Sequence, residues 1–179
     1  MNPFEVLGLA PVFAIDLKEL EKRHRDLSRA LHPDRFIGAG ASERRASLNK
    51  AVEANEAWRV LRDSVSRAEA LFRLAGVAVG ERDEPMASPA FLMEVMEWRE
   101  GLAEARAVRD VAAVMKLSGE VSARAMGSEE VLASTFGPKK PGSHELKLAQ
   151  VQLGELRFYR RFLEEVSAIE EAWQDELPR

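Results

Sequence analysis

Few side chains in this sequence have an obvious capacity for chemistry. Of 179 residues three are His and none is Cys. The chain therefore has no disulfide framework, no thiolate zinc site and no cysteine-ligated cluster. One imidazole and one carboxylate stand two residues apart in His32-Pro33-Asp34, the composition of an acid–base or metal-ligating pair. No further His, Asp or Glu falls at ligand spacing around it, so neither chemistry has the groups it needs. What the tripeptide offers is shape. Pro33 has a fixed φ and drives the residue before it out of the helical region, so a helix arriving at His32 must stop. Asp34 is then held on a stiff turn, where its carboxylate can be offered to another protein. The residues describe a contact point and not an active site.

The elements that position this turn are helical. Asn2, Pro3 and Glu5 read as an N-cap, an N1 proline and a capping-box acid opening a short first helix. Asp16 and Glu19 repeat that grammar for a second helix, ended by His32-Pro33. Residues 35–41 form a loop, Ser42 caps a third helix to about Arg62, and a fourth runs from about Ser66 to Ala75 with Gly76 at C′. Gly80, Asp83, Glu84, Pro85 and Ser88 break the periodicity, which divides the chain into 1–76, a linker 77–88, and a C-terminal domain 89–179. There Ser88-Pro89 opens a helix to about Val108, and a second helix runs from about Arg109 toward Phe136. After the break at Gly137–Gly142, a long last helix starts at Ser143 and reaches about Trp173. Scarce β-branched residues beside abundant Ala, Leu, Glu and Arg agree with an all-α fold.

Composition excludes other classes. Apolar residues at 46% and charged residues at 31% are those of a globular protein with a buried core. No apolar run approaches the roughly 18 residues of a membrane span, and the N-terminus has no basic segment followed by an apolar one, so a cytoplasmic protein is expected. A net charge of −4 argues against nucleic-acid binding. The charge is uneven. Residues 1–76 carry 13 basic and 11 acidic side chains, net +2, and the remainder 13 and 19, net −6. Opposite signs suggest two surfaces with different partners.

Two faces stand out. On the second helix Leu17, Leu20, His24, Leu27 and Leu31 make one buried stripe, while Lys18, Lys22, Arg25 and Arg29 form a basic line ending beside Asp34. Leu48, Ala51, Asn55, Trp58 and Leu61 on the third helix are placed to pack antiparallel against the leucine stripe. His24 reads as a core or boundary histidine. By itself the basic line has the ordinary composition of a solvated helix face; like charges along it weaken a helix by a few tenths of a kcal/mol per pair, a cost that an acidic partner would offset. In the helix after Ser88, Phe91, Val95, Trp98 and Leu102 face a bundle core. Leu92, Met93 and Met96 lie well over 90° away, flanked by Glu97, Arg99 and Glu100, and one neighbouring helix cannot bury both sides. Two readings follow: a helix clasped between two bundle partners, or an exposed apolar patch with a charged rim, which is the composition of a protein-binding surface. In the last helix Leu156, Tyr159, Leu163 and Val166 make a core stripe, with Phe158 directed nearly opposite.

Basic helix, His-Pro-Asp, loop and third helix in this order resemble a J-domain, the module by which co-chaperones stimulate ATPase chaperones of the DnaK class. The resemblance implies that His32, Pro33 and Asp34 are the essential triplet and that Lys22, Arg25 and Arg29 are docking charges for an acidic chaperone surface. General protein-folding J-proteins continue with a Gly/Phe-rich segment and CxxCxGxG repeats, and this chain has neither. Asn55-Glu56-Ala57-Trp58, Arg67-Ala68-Glu69, Phe91-Leu92-Met93-Glu94 with Arg99-Glu100, and Leu156-Arg157-Phe158 are similar to the HscB family, the J-proteins of bacterial iron–sulfur cluster assembly. That similarity covers nearly the whole chain. It implies a J-domain followed by a three-helix bundle, with no cofactor and no catalytic activity of its own. The implied partners are an HscA-like ATPase and an iron–sulfur scaffold protein of the IscU type, the latter bound through Leu92, Met93, Met96, Glu97, Arg99, Glu100 and Phe158. The residues taken alone leave open a J-protein with another client, and a hydrolase built on His32 and Asp34.

Overall fold

A computed structural model describes residues 1–80 and 87–175. These residues form seven α-helices and one 3-10 turn, with no strand among them. The linker residues Asp83, Glu84 and Pro85 lie outside the described set. The chain divides into two compact units, Met1–Val79 with Ala133–Gly142, and Gly80–Leu132 with Ser143–Arg179.

In the first unit α1 (Pro3–Val6) is capped by Asn2, whose side chain accepts from the Phe4 amide at 3.1 Å. The second helix, α2 (Leu17–Ala30), starts where the Asp16 carboxylate accepts from the Lys18 and Glu19 amides. It ends at Leu31, one residue before His32. The third, α3 (Ala41–Arg62), has Gly40 at its N-cap with no side-chain capping bond, so the cap expected at Ser42 lies inside the helix. The fourth, α4 (Ser64–Leu74), is capped by Asp63 and closed by Gly76 at φ +76°, the left-handed position glycine adopts without strain.

Around α3 pack α1, α2 and α4, over a core of Phe4, Leu7, Phe13, Leu20, Leu61, Leu71 and Phe72. On α3 it is Ser47, Ala54, Ala57 and Leu61 that are buried, whereas Leu48 is exposed. Small residues line the contact and let the backbones approach closely, so the larger Leu48 falls on the flank. Leu17, expected in the α2 stripe, is also exposed. Arg67 is buried, donating to the Leu61 carbonyl at 2.7 Å with its guanidinium over the Phe13 ring at 4.7 Å. Charge and hydrogen bond there serve the join between α3 and α4.

Residues 133–142, which the division by sequence assigns to the C-terminal part, group with this first unit. Phe136 explains why. Its ring is buried edge-on against Phe72 at 4.8 Å, and its carbonyl accepts from the Phe13 amide at 2.9 Å.

The second unit comprises α5 (Pro89–Ala107), most of α6 (Val111–Thr135), and α7 (Ser143–Asp175). Ser88 caps α5 by accepting from the Phe91 amide at 3.1 Å. Arg109, at φ +56°, turns the chain between α5 and α6. Its side chain donates to the Trp173 carbonyl at 2.8 Å and lies over that indole. The core is formed by Trp98 and Leu102 from α5, Val114, Val121 and Leu132 from α6, and Leu153, Leu156, Tyr159, Phe162 and Val166 from α7. Phe162 takes the buried place expected of Leu163, which is half-buried.

Candidate functional site

Two candidate surfaces result, one on each unit. The first is the turn after α2. Pro33–Phe36 forms one turn of 3-10 helix, and His32 stands at its N-cap with extended backbone, as a residue before proline must. The His32 ring accepts from the Asp34 amide at Nδ1, 3.3 Å away. The same nitrogen is 3.5 Å from the Asp34 carboxylate, and both side chains are largely exposed, at 59% and 78%. One nitrogen of His32 is thus engaged in shaping the turn. Pro33 fixes φ, and Asp34 projects into solvent from a backbone tied at both ends. Ser47, buried on α3, donates to the Leu31 carbonyl at 3.1 Å and anchors the end of α2 to its neighbour. Among the described residues no three His, Cys, Asp or Glu side chains converge as a metal site would require.

Along α2, Lys18, Lys22, Arg25 and Arg29 are all exposed. Arg25 is paired with Glu21 at 3.2 Å, which relieves part of the expected repulsion. Lys18, Lys22 and Arg29 make no ion pair among the described residues. Arg23, off this line, does different work. It pairs with Glu19 at 2.7 Å and donates to the Leu7 and Gly8 carbonyls, fastening α2 to the end of α1.

The helices meet at their other end through a set that sequence reading identified only as stripe positions. His24 stacks on Trp58 at 5.0 Å and contacts the Asn55 side-chain oxygen at 2.8 Å, and the Arg62 guanidinium lies over the Trp58 ring at 4.5 Å. The signal was present in sequence, a polar Asn and a His each in an apolar stripe, but their pairing needed the register of the two helices.

The second candidate surface is on α5. Phe91 and Val95 are half-buried, and Trp98 and Leu102 are buried. On another side Leu92, Met93 and Met96 are 49%, 64% and 69% exposed. Glu97, Arg99 and Glu100 are exposed around them. Steps of three and four residues join Leu92, Met93 and Met96 to Arg99 and Glu100 as one continuous face.

Phe158 does not point away from the bundle. It is half-buried and packs edge-on against Phe91 at 5.7 Å, nearly parallel to Trp98 at 6.4 Å, and close to Phe162. The Arg99 guanidinium lies over it at 5.7 Å. A long helix between two neighbours has its flanks covered as well as its inner stripe, which an angular argument on one helix misses. Phe158 therefore joins the aromatic core to the rim of the exposed face.

A polar network runs behind this cluster. Glu94 of α5 binds Arg124 of α6 at 2.6 Å. Ser128 of α6 donates to Gln152 of α7 at 2.9 Å, and Gln152 donates to Glu155 at 3.2 Å. Burial raises the pKa of Glu155, against hydrogen bonds from Gln152 and Tyr159 that lower it. Burial, followed by the Glu155 carboxylate, pushes Tyr159 up to about 12.

Residues 87–167 match the family described as the HSCB C-terminal oligomerisation domain. A co-chaperone protein HscB homolog of Bordetella pertussis is 36% identical over 92% of this chain and 94% of its own length. One of Shewanella oneidensis is 33% identical over 98% of this chain and all of its own. Chaperone HscB from Vibrio cholerae superimposes with a TM-score of 0.80 at 32% identity, covering 96% of this chain and 99% of that one. The human co-chaperone protein HscB does so with a TM-score of 0.83 at 25% identity, over 95% and 82%.

Proposed function

The chain belongs to the HscB co-chaperone family, and from that premise we propose that it is an adaptor joining a DnaK-class ATPase of the HscA type to an iron–sulfur cluster scaffold protein of the IscU type. The first unit engages the ATPase. Lys22, Arg25 and Arg29 meet an acidic surface, and Asp34, presented by Pro33 and the His32 cap, biases the chaperone toward ATP hydrolysis. Stimulation of this kind is a coupling between sites on the chaperone and requires no catalytic group here. The second unit carries the scaffold on Leu92, Met93 and Met96, rimmed by Glu97, Arg99 and Glu100, with Phe158 behind Arg99. Holding both partners raises their effective concentration, so that modest separate affinities suffice.

The observation that carries this reading is the exposed Leu92–Met93–Met96 face on a helix whose other side is core. Three large apolar side chains left in water on one face each contribute on the order of 1–2 kcal/mol when a partner covers them. The test is steady-state ATP hydrolysis by the chaperone with the scaffold protein present. Wild type is expected to accelerate turnover, and Asp34→Asn, which leaves the turn's hydrogen bonds in place, is expected to lose that acceleration. Equal stimulation by both proteins would overturn the role given to Asp34.

A further inference from the structure

An open cleft of about 510 Å³ runs between α5 and α7 in the second unit, lined by Arg99, Leu102, Ala103, Arg106, Glu165 and Ile169 among others. A second cleft shares Arg106, Glu165 and Ile169 and extends the first to Trp173. We infer that this groove is a second contact for the scaffold protein, receiving a segment that carries a carboxylate beside an apolar side chain. The inference rests on the scaffold-binding role proposed for α5.

Continuity is the first argument. Arg99 both lies over Phe158 and lines the groove, so the exposed Leu/Met face and the groove share a wall. Charge is the second. Arg99 and Arg106 stand two turns apart on that wall, about 10 Å along the axis. Neither makes an ion pair among the described residues, and neither does Glu165 on the facing helix. Within α5 itself, positions three and four residues from either arginine hold no carboxylate. Asp110, four residues beyond Arg106, is occupied with capping α6 through the Ala113 amide at 3.0 Å. Two guanidiniums above a floor of Leu102 and Ile169 suit a partner carboxylate adjoining an apolar group. Glu165 opposes an acid on the α7 side and thereby directs the guest's charge toward α5.

The experiment is calorimetric titration of the full-length protein with the scaffold protein at two salt concentrations. It compares wild type, Arg106→Glu, Ala103→Trp, and a Leu92→Ala/Met93→Ala control. Arg106 and Ala103 are exposed, and circular dichroism checks that each variant keeps its helix content. Charge reversal at Arg106 is expected to raise Kd by about tenfold and to flatten its salt dependence. Ala103→Trp, which fills the groove, is expected to weaken binding at both salt concentrations. Wild-type affinity in both groove variants, with binding lost in the control, would overturn the groove and leave the adaptor reading standing. Unchanged binding in all three variants, or none by wild type, would remove the adaptor reading and the groove together.

Discussion

At the level of single residues, Tyr159 and Glu155 offer the most direct physical tests of the second unit. Tyr159 is the chain's one tyrosine, so ultraviolet titration of tyrosinate reports on it alone. Its midpoint is expected near pH 12 rather than near 10. Because the folded-state value is raised, the stability contributed by the neutral phenol is complete below the unfolded value and is lost as pH climbs through the folded one. Glu155 follows the same sign, since burial raises its pKa too. Its protonated form is favoured by folding, and the protein forgoes stability as pH rises past the folded value. Glu155→Gln removes that titration and retains an acceptor for Tyr159. The melting temperature of the variant, relative to wild type, is expected to be more favourable at pH 7 than at pH 4. A constant offset across that range would show that Glu155 ionises as freely in the fold as outside it.

Elements carry a different kind of information. Asp16, Ser88 and Pro33 act in the structure as their residue types dictate, because capping and proline sterics are local. The two-sided character of α5 was also legible, since an angle between two apolar groups on one helix does not depend on what surrounds it. Where sequence and structure part, the deciding residues are small or distant. Ser47, Ala54 and Ala57 line the α3 contact in place of Leu48, because close backbone approach selects against bulk and hydropathy does not register it. Phe158 lies against Phe91 and Trp98, a placement fixed by two helices together. Phe136 ends α6 in the first unit, against Phe72, a long-range contact with no local signature. Truncating it tests that assignment. Phe136→Ala is expected to cost about 3 kcal/mol, as a buried aromatic removed from a core does. Chemical denaturation followed by far-ultraviolet dichroism measures it. A loss below about 0.5 kcal/mol would mean the ring contributes little to that core.

For the whole molecule the distribution of charge becomes a functional statement. The basic line on α2 is exposed and mostly unpaired, so the attraction to an acidic surface proposed for it would be screened over a Debye length of about 8 Å at physiological salt. Raising sodium chloride from about 50 to about 300 mM is expected to raise, several-fold, the concentration needed for half-maximal chaperone stimulation. Arg29→Ala should flatten that dependence more than Arg25→Ala, because Glu21 already offsets Arg25. Identical salt curves for wild type and both variants would detach the basic line from docking. Phe136 has a further consequence for how such proteins can be recombined. A J-module lifted out at residue 76 travels without the strand of sequence that plugs it: the Phe72 ring loses its cover and the Phe13 amide its acceptor. The N-terminal piece is therefore not a cassette. Grafted onto another domain, it needs residues 133–142 supplied as well, or a host that brings an aromatic stopper of its own.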